Sequence, residues 1–317
     1  MLFNSPLHDF IDSLDGDTEI CKHKNSSLTA NQLVKESLAK AEFLSKQGLA
    51  KGDIVLFIVE TGIEFLILFM ALVHLRVKIA LVDPHMGPQL YQSKINQLKP
   101  KWAFVDRRIL LMQENPLVQF LIKKARPATF YIKPQKSLLV FGTGPRVPLF
   151  KKPLSIKSIS NQSELQDSNI DDELLIVYTS GSLSEPKGVV HSIGSIYEGL
   201  KAISKILENA PGKVMVSHLP HFALIGMFVG YKVHFWPENL SPKAKIAFIK
   251  KHNIDTIFGP PAEFLALINY CSEKKLRFPK SLAHIILGSA PILKPFLLKL
   301  NPVLLIFLVS RMIFLHD

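Results

Sequence analysis

One segment of the chain combines residue types that suit phosphate binding. Tyr178 to Val190 read YTSGSLSEPKGVV, in which small residues, hydroxyls and a lysine follow one another closely. Small residues let a backbone approach a polyphosphate, and the hydroxyls of Thr179, Ser180 and Ser182 can donate to phosphate oxygens. Lys187 adds a mobile positive charge. This chemistry predicts a nucleotide phosphate site.

The loop differs from the P-loop of Walker A type. That pattern requires Gly before the lysine and Ser or Thr after it, whereas Pro186 and Gly188 flank Lys187. A GTPase-like function is therefore excluded. The plain alternative is a Ser- and Gly-rich surface turn with an incidental lysine, and the segment alone leaves that alternative open.

The elements around the loop alternate between strands and helices. Short apolar runs predict strands at 54–59, 79–82, 102–105, 137–141, 173–178, near 214, 256–258 and 284–287. Helical spacing predicts helices from the Thr29–Gln32 capping box to Gly48, at 63–74, 89–98, 196–207 and 262–271, and after Ser241-Pro242. This alternation predicts an α/β fold with parallel sheets flanked by helices, in which the phosphate loop joins a strand to a helix.

The loop resembles the phosphate-binding signature of the adenylate-forming superfamily, T-S-G-S/T-T-G-x-P-K-G. Members of this family include acyl-CoA synthetases, fatty-acyl-AMP ligases, luciferases and peptide-synthetase adenylation domains. Leu183 and Ser184 stand where the family has Thr and Gly. The resemblance implies that ATP phosphates are bound by Thr179, Ser180, Gly181, Ser182, Lys187 and Gly188.

Further landmarks extend the resemblance over roughly residues 28 to 300. The DP-x-MG segment at 83–87 and the Phe-Ala-Leu form of LPHFALIGMFVG (219–230) are similar to the branch that contains olefin-pathway β-lactone synthetases. The resemblance implies an acyl pocket formed by Phe222, Ala223, Leu224, Phe258 and Gly259. It also implies an adenine pocket formed by Gly288, Ser289, Ala290 and Pro291.

Plainer interpretations of several residues stay open. Phe222, Leu224 and Phe228 would also suit any protein core. The histidines 218, 221 and 234 have no Asp, Glu or Cys at ligand spacing, so we expect no metal site there. The acidic residues 171–173 are expected to form a solvated turn before a strand.

The function implied by the resemblance is ATP-dependent activation of a carboxylic acid to an acyl-adenylate. The expected acid is a fatty or β-hydroxy fatty acid, with CoA or a carrier thiol as a further partner and with ATP and Mg²⁺ as cofactors. The family's Y-G-x-T-E motif, whose Glu holds Mg²⁺, has no counterpart in this sequence, nor has the catalytic Lys of the family's small C-terminal domain. We therefore assign no catalytic residue and expect the Mg²⁺ ligand to be missing.

The end of the sequence departs from the family. After Leu298 the apolar stretch NPVLLIFLVSRMIFLHD matches no family landmark and shows no sheet-forming pattern. We interpret the chain as the first part of the adenylate-forming N-terminal region, incomplete at the C-terminus. The expected segments are an α/β unit at 28–122, a Pro- and Lys-rich connection at 123–170, a phosphate-loop and pocket unit at 171–300, and an apolar tail at 301–317. The competing hypotheses are an inactive remnant that binds nucleotide or acyl chains at most, and a basic protein at an anionic membrane surface.

Composition bounds these hypotheses. Hydrophobic residues make up 48% of the 317 residues and charged residues 20%, which excludes a disordered chain. The 38 Lys and Arg against 26 Asp and Glu give a formal charge of +12, but they occur as scattered pairs, which favours a solvated basic surface and no nucleic-acid partner. We find neither a signal peptide nor a transmembrane span and expect a cytoplasmic protein, with peripheral attachment to a membrane through the tail left open. Cys21 and Cys271 are expected to be packing residues.

Overall fold

The computed structural model describes residues 16–82, 88–114, 139–143, 169–178, 188–207, 212–217, 220–237, 240–287 and 305–308. The strands are β1 Glu19–His23, β2 Ser26–Thr29, β3 Ile54–Ile58, β4 Lys78–Leu81, β5 Trp102–Asp106, β6 Leu139–Thr143, β7 Glu173–Tyr178, β8 Gly188–Ser192, β9 Val214–Ser217, β10 Lys232–Phe235, β11 Thr256–Gly259, β12 His284–Leu287 and β13 Leu305–Leu308. The helices are α1 Ala30–Lys46, α2 Ile63–His74, α3 Pro88–Leu98, α4 Arg107–Glu114, α5 Ile193–Leu207, α6 Pro220–Phe228, α7 Pro242–Lys251 and α8 Pro261–Glu273.

The described residues divide into two compact units, each built on one sheet. Residues 33–60 and 64–195 form a unit whose six-stranded sheet has the order β6-β5-β3-β4-β7-β8. Residues 16–32, 61–63 and 196–308, so far as they are described, form a unit whose seven-stranded sheet has the order β13-β12-β11-β9-β10-β1-β2. Neighbouring strands are parallel except for one antiparallel pair at an edge of each sheet, β7–β8 and β1–β2. The predicted α/β class with parallel sheets flanked by helices is confirmed.

Strands buried on both faces explain the apolar runs of the six-stranded sheet. All five residues of β5 are buried, and one face of the sheet packs Leu56, Ala80 and Val105 against Tyr91 and Ile95 of α3. Helix α2 is buried over nine consecutive residues, 65–73, as its composition predicts. A helix with the length and apolar character needed to cross a bilayer does not occur among the described residues.

The seven-stranded sheet has a core of its own. Val216, Ile257 and Ile285 from three adjacent strands pack with Phe264 and Leu267 of α8. Both cysteines are buried free thiols, as expected of packing residues.

Helix ends follow the predicted signals closely. The backbone N–H of Thr29 donates to Oε1 of Gln32 at 3.0 Å, and the N–H of Gln32 donates to Oγ1 of Thr29 at 3.3 Å, which completes the capping box. Gly48 follows α1 with a φ of +95°, a left-handed value that glycine adopts without strain. The hydroxyl of Ser241 caps α7 by accepting from the N–H of Ala244 at 3.3 Å, with Pro242 at the first helical position.

Several elements differ from the prediction. The β1–β2 hairpin, β8, β10, α4 and α6 were not predicted, and the phosphate loop joins two strands because β8 precedes α5. The tail also contains a strand, since β13 pairs in parallel with β12 from His284 opposite Leu305 to Leu287 opposite Leu308. The expectation that the tail has no sheet-forming pattern was therefore wrong for residues 305–308.

In the acidic strand entry at 171–173, Asp171 and Glu173 are exposed as expected, whereas Asp172 is less solvated than expected. The Asp172 side chain is only 11% exposed, and its Oδ1 lies 2.6 Å from Nζ of Lys51 while its Oδ2 lies 3.7 Å from Nη1 of Arg76. Burial acts to raise the pKa of Asp172, but the hydrogen bond and the two cations outweigh it and lower that pKa below its ordinary value. An ion-paired residue thus fixes the amino end of β7 in its sheet.

Candidate functional site

The β7–β8 pair holds both ends of the predicted phosphate loop. Tyr178 is the last residue of β7 and Gly188 the first of β8, and the two are direct cross-strand partners. The loop therefore leaves and re-enters the sheet at one point, about 5 Å apart between Cα atoms for such a pair. Of the predicted phosphate-binding residues, Gly188 is described, whereas Thr179, Ser180, Gly181, Ser182 and Lys187 lie outside the described residues.

Gly188 lies against the ring of Tyr178. A Cβ atom added to Gly188 would be 3.3 Å from Cε1 of that ring, closer than most side-chain contacts, and 3.6 Å from Cγ2 of Ile176, an ordinary contact distance. Nζ of Lys94 in α3 lies 4.4 Å from the centroid of the same ring, within the range of a cation–π contact. Burial raises the pKa of Tyr178, so its phenol stays neutral at physiological pH.

An ionic cluster lies where β3 and β5 end, on the same edge of the sheet as the loop. The Arg108 guanidinium donates to both carboxylate oxygens of Asp106, at 2.9 and 3.0 Å, and forms an ion pair with Glu60. The Asp106 side chain is 2% exposed and also accepts from the backbone N–H of Arg108 at 2.8 Å. Because two carboxylates engage this guanidinium, the cluster braces the strand ends rather than offering an unopposed cation to a phosphate.

The predicted acyl-pocket residues lie at the carboxyl ends of β9 and β11. Phe222 in α6 stacks on Phe258 in β11, with ring centroids 4.0 Å apart and an interplanar angle of 4°. Both rings and Ala223 are 0% exposed, and Leu224 is 7% exposed. Of the five residues of this prediction, the structure brings Phe222 and Phe258 into contact, and the burial of all five agrees equally with a core role.

Gly259 ends β11 next to a buried ion pair. A Cβ atom on Gly259 would lie 2.8 Å from Oε2 of Glu263, and the other carboxylate oxygen of Glu263 is 2.5 Å from Nζ of Lys245. The Lys245 ammonium also lies 5.1 Å from the ring centroid of Trp236. Glycine at position 259 leaves room for this paired carboxylate, which no sequence pattern predicted.

The predicted adenine-pocket residues follow β12 directly. Gly288, Ser289, Ala290 and Pro291 lie outside the described residues, as do Asp83, Pro84, Met86 and Gly87. In an open parallel sheet, ligands bind at the carboxyl ends of the strands. The loops after β7, β9, β11 and β12 all start at such ends.

The described residues provide no metal centre. Groups of three or more His, Cys, Asp or Glu side chains at metal-binding distance are absent from this part of the chain. His218 lies outside it, and the His234 ring pairs with His252 at 5.0 Å between centroids. Lys22, the strand neighbour of His234, and Lys232 add positive charge beside this pair, which disfavours a bound cation.

Comparison with known proteins identifies the family. The sequence profile of the AMP-binding enzyme family matches residues 13–309. The chain belongs to the AMP-binding enzyme family. The match reaches beyond the predicted extent of roughly 28 to 300 at both ends and includes β13, and the predicted adenylate-forming resemblance is confirmed.

Individual members of the AMP-binding family are similar over parts of the chain. The olefin β-lactone synthetase of Xanthomonas campestris is 25% identical over 250 residues, which cover 77% of this chain and 43% of that protein. The acetyl-coenzyme A synthetase of Bdellovibrio bacteriovorus is 27% identical over 180 residues, which cover 53% of this chain and 26% of that protein. The chain thus spans less than half the length of these relatives.

Solved structures share the fold. The luciferase-like enzyme of the nonluminescent mealworm Zophobas morio matches with a TM-score of 0.74 and 17% identity, covering 98% of this chain and 72% of that one. The O-succinylbenzoate coenzyme A synthetase of Bacillus subtilis, in complex with AMP, matches with a TM-score of 0.68 and 17% identity, covering 93% and 70%. At these identities the likeness shows the adenylate-forming fold of the described units.

Proposed function

We propose that this chain supplies the nucleotide- and acid-binding part of an enzyme that activates a carboxylic acid with ATP. The acid's carboxylate would attack the α-phosphorus of ATP, forming an acyl-adenylate and releasing pyrophosphate. The observation that carries this proposal is the hydroxyl- and lysine-containing loop, whose two ends are clamped side by side by Tyr178 and Gly188 in a chain of the AMP-binding family.

The roles of the loop residues follow from the charge of the substrate. A triphosphate brings several negative charges to one place, and backbone N–H groups, hydroxyls and a lysine lower the cost of holding them. Lys187 would pair with a phosphate oxygen. The proposed phosphate-binding set is Thr179, Ser180, Gly181, Ser182, Lys187 and Gly188, and the proposed adenine-binding set is Gly288, Ser289, Ala290 and Pro291.

The acid is proposed to be a fatty or β-hydroxy fatty acid. Its chain would lie at the carboxyl edge of the seven-stranded sheet, with Phe222, Ala223, Leu224, Phe258 and Gly259 as the proposed acyl-binding set. Since the stacked rings of Phe222 and Phe258 are closed against each other, they would form the base of the pocket and not its open surface. CoA or a carrier thiol is the proposed acceptor for a second step.

The Mg²⁺ that the family uses has no matching site among the described residues. The only carboxylate side chain after Leu287 is Asp317, and the described residues provide no cluster of acidic ligands. We therefore assign no step to the ion. A second candidate function is that the 317-residue chain binds ATP and acid without catalysing adenylation by itself.

Isothermal titration of the full chain with ATP tests the first proposal. Lys187→Ala should weaken ATP binding about 10- to 100-fold, the contribution of one charge-assisted hydrogen bond. Lys46→Ala is the matched control, because the exposed Lys46 side chain pairs with Glu42 within α1 and should leave affinity unchanged. Equal affinity of wild type and Lys187→Ala would contradict the assignment of the loop.

Pyrophosphate exchange separates the two candidate functions. Labelled pyrophosphate is followed into ATP with saturated, unsaturated and 3-hydroxy fatty acids, with and without Mg²⁺. We expect no acid-dependent exchange by the 317-residue chain. Exchange that needs both acid and Mg²⁺ would establish turnover and reject the binding-only function.

A further inference from the structure

A buried lysine lies beside the last residue before the phosphate loop. Lys94 is 9% exposed, and its Nζ is 4.4 Å from the centroid of the Tyr178 ring. At this distance the ammonium is attracted by the ring's negative face, and the attraction strengthens when water is excluded. Lys94 and Tyr178 are more than 80 residues apart in the sequence. Only the tertiary structure brings them together.

The same ring contacts the far end of the loop. Gly188 is the cross-strand partner of Tyr178, and its Cα faces the ring so closely that a Cβ would lie 3.3 Å from Cε1. One aromatic ring is therefore close to both Lys94 of α3 and Gly188 of β8. If that ring turned away, the backbone at both ends of the loop would lose a common support.

Lys94 belongs to helix α3, which is packed firmly against the core of the six-stranded unit. Tyr91 and Ile95, which flank Lys94 in the helix, are 2% and 3% exposed and belong to the core cluster that includes Ile58 and Val105 of the sheet. A side chain mounted on a packed helix holds its contact with less freedom than one on a loop. Lys94 can thus hold the Tyr178 ring in one orientation.

We propose that Lys94 is a positioning residue for the phosphate loop, which raises nucleotide affinity by holding the Tyr178 ring against Gly188 and thereby fixing both loop ends. It acts through Tyr178 and not by contact with the nucleotide. A loop with fixed ends has fewer conformations to lose on binding, so it binds the same ligand more tightly. This inference rests on the proposed nucleotide-binding function of the loop.

The experiment is a double-mutant cycle on the full chain, with ATP affinity measured by titration calorimetry. Lys94→Met keeps the volume but removes the charge, and Tyr178→Leu removes the ring. Each should weaken ATP binding about three- to tenfold, and the double variant should be no weaker than either single variant. Lys94→Arg and Tyr178→Phe preserve the cation–π pair and should bind like wild type.

Two results would overturn the inference. Additive losses in the double variant would mean that Lys94 meets the nucleotide directly, and a wild-type affinity of Lys94→Met would mean that the pair has no part in binding. The melting temperatures of the variants serve as the structural readout, since a purely structural role would lower them in parallel with affinity, whereas we expect Lys94→Met and Lys94→Arg to melt alike.

Lys187→Ala distinguishes failure here from failure of the proposed function. If Lys187→Ala binds like wild type, or wild type does not bind ATP, the loop is not the nucleotide site and both proposals fall. If Lys187→Ala loses affinity while Lys94→Met does not, the inference about Lys94 alone falls.

Discussion

The carboxyl edges of the two sheets differ in chemistry. In the six-stranded unit that edge carries the ion pairs of Arg108 with Asp106 and Glu60. In the seven-stranded unit the corresponding edge carries the stacked, fully buried rings of Phe222 and Phe258. The charged edge is braced by its own ion pairs, whereas the apolar edge suits a hydrocarbon chain. The two sheets therefore offer different environments at their carboxyl edges.

The largest expected effect comes from truncating a buried ring at the apolar edge of the seven-stranded sheet. Phe222→Ala should lower the free energy of unfolding by about 3–5 kcal/mol, because it removes a buried ring and leaves a cavity against Phe258. Hydrogen exchange resolved by peptide should show faster exchange in β9 and β11 and unchanged exchange in β3 and β5. A loss below about 1 kcal/mol would mean that the ring faces open space instead of core.

Phe57→Ala is the matched control for this experiment. Phe57 in β3 is 3% exposed and its ring lies 5.1 Å from that of Phe65, so the same truncation is made in the other sheet. The pattern of faster exchange should move to β3 and β5. If both variants loosened both sheets equally, the two edges would not be independent.

Acid should affect the seven-stranded sheet through His234. Burial, the neighbouring His252 and the cations Lys232 and Lys22 lower the pKa of His234 from 6.5 to about 4, with Glu19 acting weakly in the opposite direction. His234 takes up a proton near pH 6.5 in the unfolded chain but only near pH 4 in the folded chain. The free energy of unfolding therefore decreases as the pH is lowered from 6.5 to 4. The full loss is about 3 kcal/mol, and it is absent above pH 7.

Denaturant titrations at pH 7.5, 6 and 4.5 measure this loss. His234→Gln should flatten the dependence of stability on pH between 6.5 and 4.5. His191→Gln is the comparison in the six-stranded sheet, where burial lowers the pKa of His191 in the same direction. If the free energy of unfolding of His234→Gln depended on pH as strongly as that of wild type, other groups would be responsible for the acid sensitivity.

The smallest expected effect is at the charged edge. Asp106→Asn keeps the shape of the side chain but removes the charge that opposes Arg108, and should lower the free energy of unfolding by about 1–2 kcal/mol. Exposed Asp171→Asn is the control, expected within about 0.5 kcal/mol of wild type. Equal stability of both variants would show that Glu60 alone satisfies the guanidinium.

Local signals account for the part of the fold that the sequence predicts. Strands buried on both faces, such as β3 and β5, appear in the sequence as unbroken apolar runs. The capping residues Thr29 and Ser241 mark the first turns of their helices. The strands that escaped prediction are short: β2, β8 and β13 lie at sheet edges, whereas β1 and β10 lie inside the seven-stranded sheet. In β8 only His191 is buried, so the strand lacks an apolar run, and β13 is defined by its pairing with β12.

In the candidate site, too, sequence patterns reveal the local features but not the contacts between distant residues. The loop residues from Thr179 to Lys187 can be recognised because their order is a local pattern. The contact of Lys94 with Tyr178 and the pairing of Arg108 with Glu60 join residues that are distant in sequence, and nothing near either partner marks it. Such contacts follow from strand order, since β7 and β5 become neighbours of β4 and β3 only in the assembled sheet.

The pairing of β1 with β10 has a consequence for how the molecule is made. Cys21 is the sheet partner of Val233, so a strand near the start of the chain waits for one that leaves the ribosome about two hundred residues later. Until then the β1–β2 hairpin is a two-stranded piece that is marginal in water. The six-stranded sheet, whose members all lie between residues 54 and 192, can be complete before that closure. A nascent chain halted before β10 would therefore hold one finished sheet and an unpartnered hairpin, a natural substrate for a chaperone.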